Sequence, residues 1–463
     1  AGAWWTYDAA ACHGAWSAAR AAGDTALYAR PSPWRVSSAN VGYAICASYP
    51  ELLIVPASVS DGQLVQAATF RARGRVPTLT WADVRDGASI WRGSQPKVGV
   101  SGATNLADEG LLAAIAREDA GEPTGGDRCR EIVDCRGRDA AAANQLGGAG
   151  TETKKGYPDW RVSFAGIGNI HAVRAAHKAL AALCVAGREA PHDEKSLFDS
   201  EHAAAPNDLE WGAKVEGTGW LSEIRGLLRC AWHVAAAVKR RRARVVIHCS
   251  HGWDRTSQVA ALAQILLDAR CRTQRGFARL VEKDFVAFGH PCAPRLAHGR
   301  EKGKDASLDQ QASPVLLQFL DAVWQLVALR PAAFEFGTGF LVAVADQIYA
   351  GRFATFLHET AATREAAARH GAPSLWPWLD AHADATASPV YDDASDDELD
   401  RLDAPPTSDD AVLPPLSTLL RRVGLWRDYW LRYSPAPSLD VEKGAADDCV
   451  YAGPTARVAG ANP

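Results

Sequence analysis

Cys249 and Arg255 stand six positions apart in HCSHGWDRT, residues 248–256. That spacing lets a chain curl once around a tetrahedral oxyanion, with a thiolate beneath it and a guanidinium fork gripping two oxygens. A free thiol has a pKa of ~8.5, which a helix N-terminus and nearby cations can lower to ~3.5–7.5. Cys249 would then attack phosphorus as a thiolate and carry the phosphoryl group covalently. Arg255 matches the charge that grows on the equatorial oxygens in the transition state. The alkoxide leaving from a phosphate monoester needs a proton, and Asp254 is the nearest carboxyl that could supply one.

The flanking elements must aim these groups. Val245, Val246 and Ile247 form a β-branched run suited to a buried strand, and residues 256–268 (TSQVAALAQILLD) predict a helix that starts near Thr256 or Ser257. The signature therefore sits where a strand turns into a helix, and loop N–H groups with the positive helix end make an anion site. With ten cysteines in the chain, the Cys–Arg spacing alone fits an inert core thiol and a surface arginine equally well. The strand before, the helix after and the internal Gly252 favour the phosphate cradle.

The wider chain reads as α/β. The run ELLIVPASV at 51–59 is strand-like, and residues 137–150 read as a loop or a helix ending in glycines. Helices are expected at 171–183, 220–238, 315–326 and 339–357, with a last packed helix at 424–433. In the second, Leu221, Ile224, Leu228, Ala231, Ala235 and Val238 make one apolar face. The acidic stretch 392–410 reads as a solvated loop. Trp220, Trp324 and Trp426 fall at apolar helical positions, as core residues would. KRRRAR at 239–244 is either a helix end favouring cations or a contact for anionic lipid.

At 463 residues the length suits about three domains or one large α/β enzyme. The composition, 47% hydrophobic and 22% charged, is that of a globular chain, and the net charge of −4 gives no global reason to expect nucleic acid. No apolar run reaches the ~18 residues of a membrane span, and the N-terminus lacks the pattern of a signal peptide. The cysteines follow neither a disulfide nor a zinc spacing, which points to a reducing compartment. The chain starts at Ala1 and has no Met, as an isolated piece of a longer chain would.

HCSHGWDRTSQ closely resembles the HCSDGWDRT signature of the myotubularins, phosphoinositide 3-phosphatases of the cysteine-phosphatase superfamily. Further segments resemble that family in order: WRVSSAN at 34–40, SYPELLIVPASV at 48–59, FRARGRVPTLTW at 70–81, SQPKVG at 94–99, GNIHAVR at 168–174, GFARLVEKDFVAFGH at 276–290, SPVLLQFLDAVWQL at 313–326 and LWRDYWLRY at 425–433. The resemblance implies a cysteine-phosphatase-like domain over 31–435, with a central twisted sheet flanked by helices. Residues 1–30 would be a linker or remnant and 436–463 a short tail, without the family's PH-GRAM domain or coiled coil. It implies hydrolysis of the D3 phosphate of phosphatidylinositol 3-phosphate, with the 3,5-bisphosphate as a second substrate. Carried onto this chain, the nucleophile is Cys249, the phosphate-binding arginine Arg255 and the general acid Asp254. The loop residues Ser250, His251, Gly252 and Trp253 join Asp254 and Arg255 around the phosphate, and Asn144, Asn169, Ile170 and Arg295 contact substrate. Asn144 and Asn169 also fit the common role of Asn in turns and caps, and Arg295 that of a solvated surface cation. No metal or cofactor is implied, because thiolate and guanidinium do that work. The setting is cytoplasmic and peripheral, at endosomal or other intracellular membranes, with homo- or hetero-oligomers of related phosphatases as partners.

Three places depart from the family pattern. His251 stands where the signature has Asp, Pro291 replaces a basic residue after FGH, and the DARP-like stretch reads DCRG, with Cys135 and Gly137 altered. His251 is a neutral filler, a protonated contact to phosphate or a partner in the acid role; the second is the expectation, because a dianion raises an imidazole's proton affinity. Two other functions compete with lipid hydrolysis: an inactive phosphoinositide-binding adaptor, and a phosphatase for phosphotyrosine proteins or soluble inositol phosphates.

Overall fold

Seven strands and a larger set of helices account for the residues that this computed structural model describes: 33–83, 87–117, 129–186, 208–298, 310–391 and 411–433. The expected linker 1–30, tail 436–463 and acidic loop 392–410 lie outside them. Strands β1 (Trp34–Ser37) and β2 (Leu53–Pro56) pair as a separate antiparallel ribbon. The central sheet holds β3 (Thr78–Ala82), β4 (Ser89–Ser94), β5 (Arg130–Asp134), β6 (Arg161–Phe164) and β7 (Arg244–Cys249). Its order is β3-β4-β7-β5-β6, parallel except for β3 against β4. The molecule is thus mixed α/β, with a mixed sheet flanked by helices.

The last strand in the chain occupies the middle, so β7 is buried on both faces and its Val245–Ile247 run is apolar without alternation. Val245 and Ile247 face one core, and Val246 faces the other. Against the first pack α6 (Trp220–Arg241) and α7 (Arg255–Leu267), numbered after α1 (Asp61–Phe70), α2 (Leu106–Arg117), α3 (Arg138–Leu146), α4 (Ile170–Ala186) and α5 (Asp208–Gly217). Against the second lie α1, α2 and the ribbon. Every α7 residue from Thr256 to Leu267 is buried. A helix buried all round can carry polar side chains only if each is satisfied. Gln258 reaches Val315 and Gln318, and Gln264 reaches Asp284.

The expected α6 face is buried in full, and α9 (Val315–Leu329) follows α8 (Gln274–Val281) as a core helix. Two expectations need correction. The helix read over 339–357 is α10 (Thr338–Ala350), because Gly351 takes φ 64° and ends it. The last helix read over 424–433 is one turn, Arg427–Trp430, preceded by α11 (Leu416–Arg422). Trp220 and Trp426 are core, whereas Trp324 is half-buried and stacks on Trp426. At the end of α6, Arg241 pairs with Glu131 and Arg240 lies over Trp232.

Beside β7, several buried charges are paired. Arg71 binds Asp108 and Glu152, and Glu152 also receives His248 Nε2 at 2.9 Å. Burial opposes the charge on Glu152, but His248 and Arg71 outweigh it and hold the carboxyl below its ordinary 4.5. Burial likewise opposes a charged His248, and Glu152 overrides it, raising the imidazole above 6.5. Glu152 therefore stabilises the fold above about pH 4.5, and that contribution is lost as pH falls towards its lowered value. The His248 contribution is full below 6.5 and is lost as pH rises through its raised value. Breaking a buried pair by removing one partner costs ~3–5 kcal/mol. Glu152→Gln should cost stability of that order at pH 7, seen as a lower Tm, and flatten the fall of Tm below pH 4.5; Tm–pH curves running parallel to wild type would refute the pairing.

Candidate active site

Cys249 ends β7, and its Cα pairs with Ser94 of β4. The chain then turns through Gly252, whose φ of 75° is left-handed and whose added Cβ would lie 2.1 Å from the Gly93 carbonyl oxygen. Only glycine fits there. Two buried guanidinium groups hold the turn: Arg75 and Arg92 each donate to the Gly252 carbonyl oxygen at 3.0 Å. In a planar trans peptide the N–H opposes the carbonyl, so the Trp253 N–H points away from both arginines. The Gly252 N–H points at Cys249 Sγ, 3.2 Å away. Among the described residues no protein acceptor meets the N–H groups of Ser250, His251 or Trp253. Unpartnered amides around a buried sulfur form an anion cradle.

Burial alone would push the Cys249 thiol up. The Arg255 guanidinium and the Thr256 hydroxyl and N–H outweigh it and the opposing charge of Asp254, and leave the thiol below its ordinary 9.0. The Thr256 oxygen is buried with no other partner. Arg255 is half-buried and gives one N–H to the Ile167 carbonyl at 3.1 Å, so part of its fork has no partner among the described residues.

His251 leans on the Trp253 ring at 4.8 Å, and exposed Arg73 lies 4.9 Å over the same ring. Burial, then Arg73, push the imidazole down to about 4, with Arg75 and Arg295 adding to this and Asp254 opposing it. Before any phosphate binds, His251 is therefore neutral, because low solvation and three cations disfavour its charge, and the expected protonated contact would have to be induced by the bound dianion.

Asp254 is buried at the start of α7. Arg295 Nε and Nη2 each donate to it at 3.0 Å, and His290 Nδ1 lies 3.2 Å from it while donating to the Trp253 carbonyl. Burial resists ionisation, yet Arg295 and His290 hold the carboxyl far below its usual range. Arg295 also donates twice to Gln311, so it is a buried anchor rather than a solvated cation.

Asn144 Nδ2 donates to Ser250 Oγ at 3.3 Å, which ties α3 to the loop. Asn169 instead caps α4, its oxygen accepting from the His171 and Ala172 N–H groups, and Ile170 begins that helix. Arg255 touches the same segment through Ile167. The structure thus gathers Cys249 to Arg255 with Asn144 and Arg295, and leaves the side-chain oxygen of Asn169 on a backbone.

Arg73, Arg75, Arg92 and Arg136 were not anticipated. Arg136 binds Asp134, Gln95 and the Gly150 carbonyl beside the loop. Among the described residues Arg75 meets no carboxylate: its partners are Ser48, the Gly252 and Phe288 carbonyls, the Tyr49 ring at 4.3 Å and the Trp253 ring at 5.6 Å. Three of the four lie in or beside the resemblance segments, but a single sequence gives no sign that an arginine is buried under a loop.

A family model described as the myotubularin-like phosphatase domain matches residues 8–365. The chain belongs to that family. It is 36% identical over 403 residues to "Myotubularin" of Xenopus laevis, covering 87% of this chain and 60% of that protein. The same figures hold for "Myotubularin" of Rattus norvegicus. It is 35% identical over 417 residues to "Phosphatidylinositol-3,5-bisphosphate 3-phosphatase MTMR2" of Pongo abelii, covering 87% and 56%. The chain thus spans somewhat over half the length of these relatives. Within the myotubularin-like loop, a neutral His251 predicts that kcat/KM of wild type and His251→Asn keep the same pH dependence between about pH 5.5 and 8, since that profile reports the free enzyme. A limb near neutrality lost in the variant would overturn the assignment.

Proposed function

We propose that this chain is a phosphoinositide 3-phosphatase with a cysteine-phosphatase-like domain, hydrolysing the D3 phosphate of phosphatidylinositol 3-phosphate through a cysteinyl phosphate. The observation that carries this is the lowered thiol of Cys249 inside a ring of unpartnered amides, with the Arg255 fork beside it. Cys249 attacks phosphorus in line with the inositol oxygen, and a phosphocysteine forms as the P–O bond breaks. Loop amides and Arg255 bind the equatorial oxygens; water then attacks phosphorus and returns the thiolate. Exposed Arg73 at the mouth suits a second ring phosphate, so the 3,5-bisphosphate is proposed as a further substrate. Among the described residues no helix is long and apolar enough to cross a membrane, and the enzyme is proposed to act peripherally on lipid.

The acid role of Asp254 has to be reconciled with its pairing to Arg295. A phosphate dianion in the loop adds like charge and raises the carboxyl's proton affinity. We infer that Asp254 takes up its proton after substrate enters and gives it to the departing inositol oxygen.

Phosphate release from short-chain phosphatidylinositol 3-phosphate, its 3,5-bisphosphate and a phosphotyrosine peptide tests the substrate class. Release from the lipids, weak release from the peptide and none from Cys249→Ser are expected; a wild type inert on the lipids would leave a binding role. Asp254→Asn should cost ~10²–10⁴ on lipid and far less on an aryl phosphate, whose leaving group needs no acid. Equal losses on both would make Asp254 an anchor alone.

A further inference from the structure

Cys135 lies one step beyond β5, beside the nucleophile. Asp134 and His248 are Cα partners in the parallel β5–β7 pairing, and the Cys135 N–H donates to the His248 carbonyl at 2.8 Å. Cys135 and Cys249 are therefore the next pair along. Registered neighbours on parallel strands share a face. Val133, Cys135, Ile247 and Cys249 all border one core, while Ile132 and Val246 border the other. Adjacent strands are ~4.8 Å apart, within the ~4.4–6.8 Å Cα separation of a disulfide. Cys230 of α6 lies beside Cys135, and all three thiols are free and buried.

We propose that Cys135 is the resolving thiol of an oxidative modification of Cys249, closing a reversible Cys249–Cys135 disulfide when the enzyme meets a hydroperoxide. This rests on the reading of Cys249 as a reactive thiolate. In the first step the thiolate attacks the terminal peroxide oxygen, and the O–O bond breaks. The released alkoxide or hydroxide takes a proton, leaving Cys249 as a sulfenic acid. In the second, Cys135 sulfur attacks the sulfenic sulfur, the S–O bond breaks, and hydroxide leaves as water with the Cys135 proton.

The surroundings order these steps. Burial first, then the contact with Cys230 and the charge of Cys249, push the Cys135 thiol well above its ordinary 9.0, while Arg255 opposes them. Cys135 is thus inert while Cys249 is a thiolate. Oxidation makes Cys249 neutral, removing one of those effects and leaving that of Arg255. A sulfenic acid without a resolving thiol proceeds to the irreversible sulfinic state. Position 135 is also one of the three places where this chain departs from its family's pattern.

The test exposes the full chain to hydrogen peroxide, blocks free thiols and maps peptides without reduction. A Cys249–Cys135 link is expected, with phosphate release lost and then restored by dithiothreitol. Cys135→Ala should keep its unoxidised kcat/KM but accumulate sulfinic or sulfonic Cys249 and recover at least about fivefold less activity. Cys230→Ala should still form the link. A Cys249–Cys230 link, no link to Cys249, or full recovery of Cys135→Ala would overturn the proposal. Mapping reads the bond itself, so failure of the phosphatase reading shows separately, as no phosphate release before oxidation.

Discussion

The Gly252 carbonyl oxygen, held by Arg75 and Arg92, is the contact on which the site depends. A buried guanidinium must find acceptors for its N–H groups or carry a penalty of several kcal/mol. Here two arginines find one in the same backbone oxygen, which turns a peptide of the loop outward and its N–H the other way. Arg92 continues to Asp284 and Ser257, and Arg75 to Phe288 and Ser48. The loop is therefore anchored to β4, α7 and the segment after α8 at once, and its amides are set by the fold itself.

Charge is distributed unevenly around that anchor. The carboxylates Asp108, Asp134, Glu152, Asp254 and Asp284 each have a cationic partner. Among the described residues Arg75 binds only neutral acceptors, and Arg255 keeps part of its fork. The residual positive field falls on the loop, where it favours the Cys249 thiolate and disfavours a charged His251. One distribution thus lowers the Cys249 thiol and keeps the His251 imidazole neutral.

The placement of β7 in the sheet has a second consequence. A central parallel strand has neighbours on both sides, so the residue at its end meets cross-strand partners from β4 and from the end of β5. Ser94 is one and Cys135 the other. A nucleophile on an edge strand would have one such neighbour, and the second thiol would not be within reach.

Much of this was legible in the chain itself, because it is local. The β-branched run ahead of Cys249, the apolar periodicity of α6 and the Cys–Arg spacing each depend on residues a few positions apart, and the structure places all three where they were read. Gly351 and the single turn Arg427–Trp430 show where periodicity overruns a local stop. What tertiary structure decided is how each charged group is spent. Arg295 is committed to Asp254 and Gln311, Asn169 caps α4, His251 is kept neutral by burial and Arg73, and Arg75 and Arg92 support the loop from more than 150 positions away. The strength of a buried ion pair or hydrogen bond is set by the partner that packing brings to it. For these residues that partner lies far along the chain, where spacing carries no information.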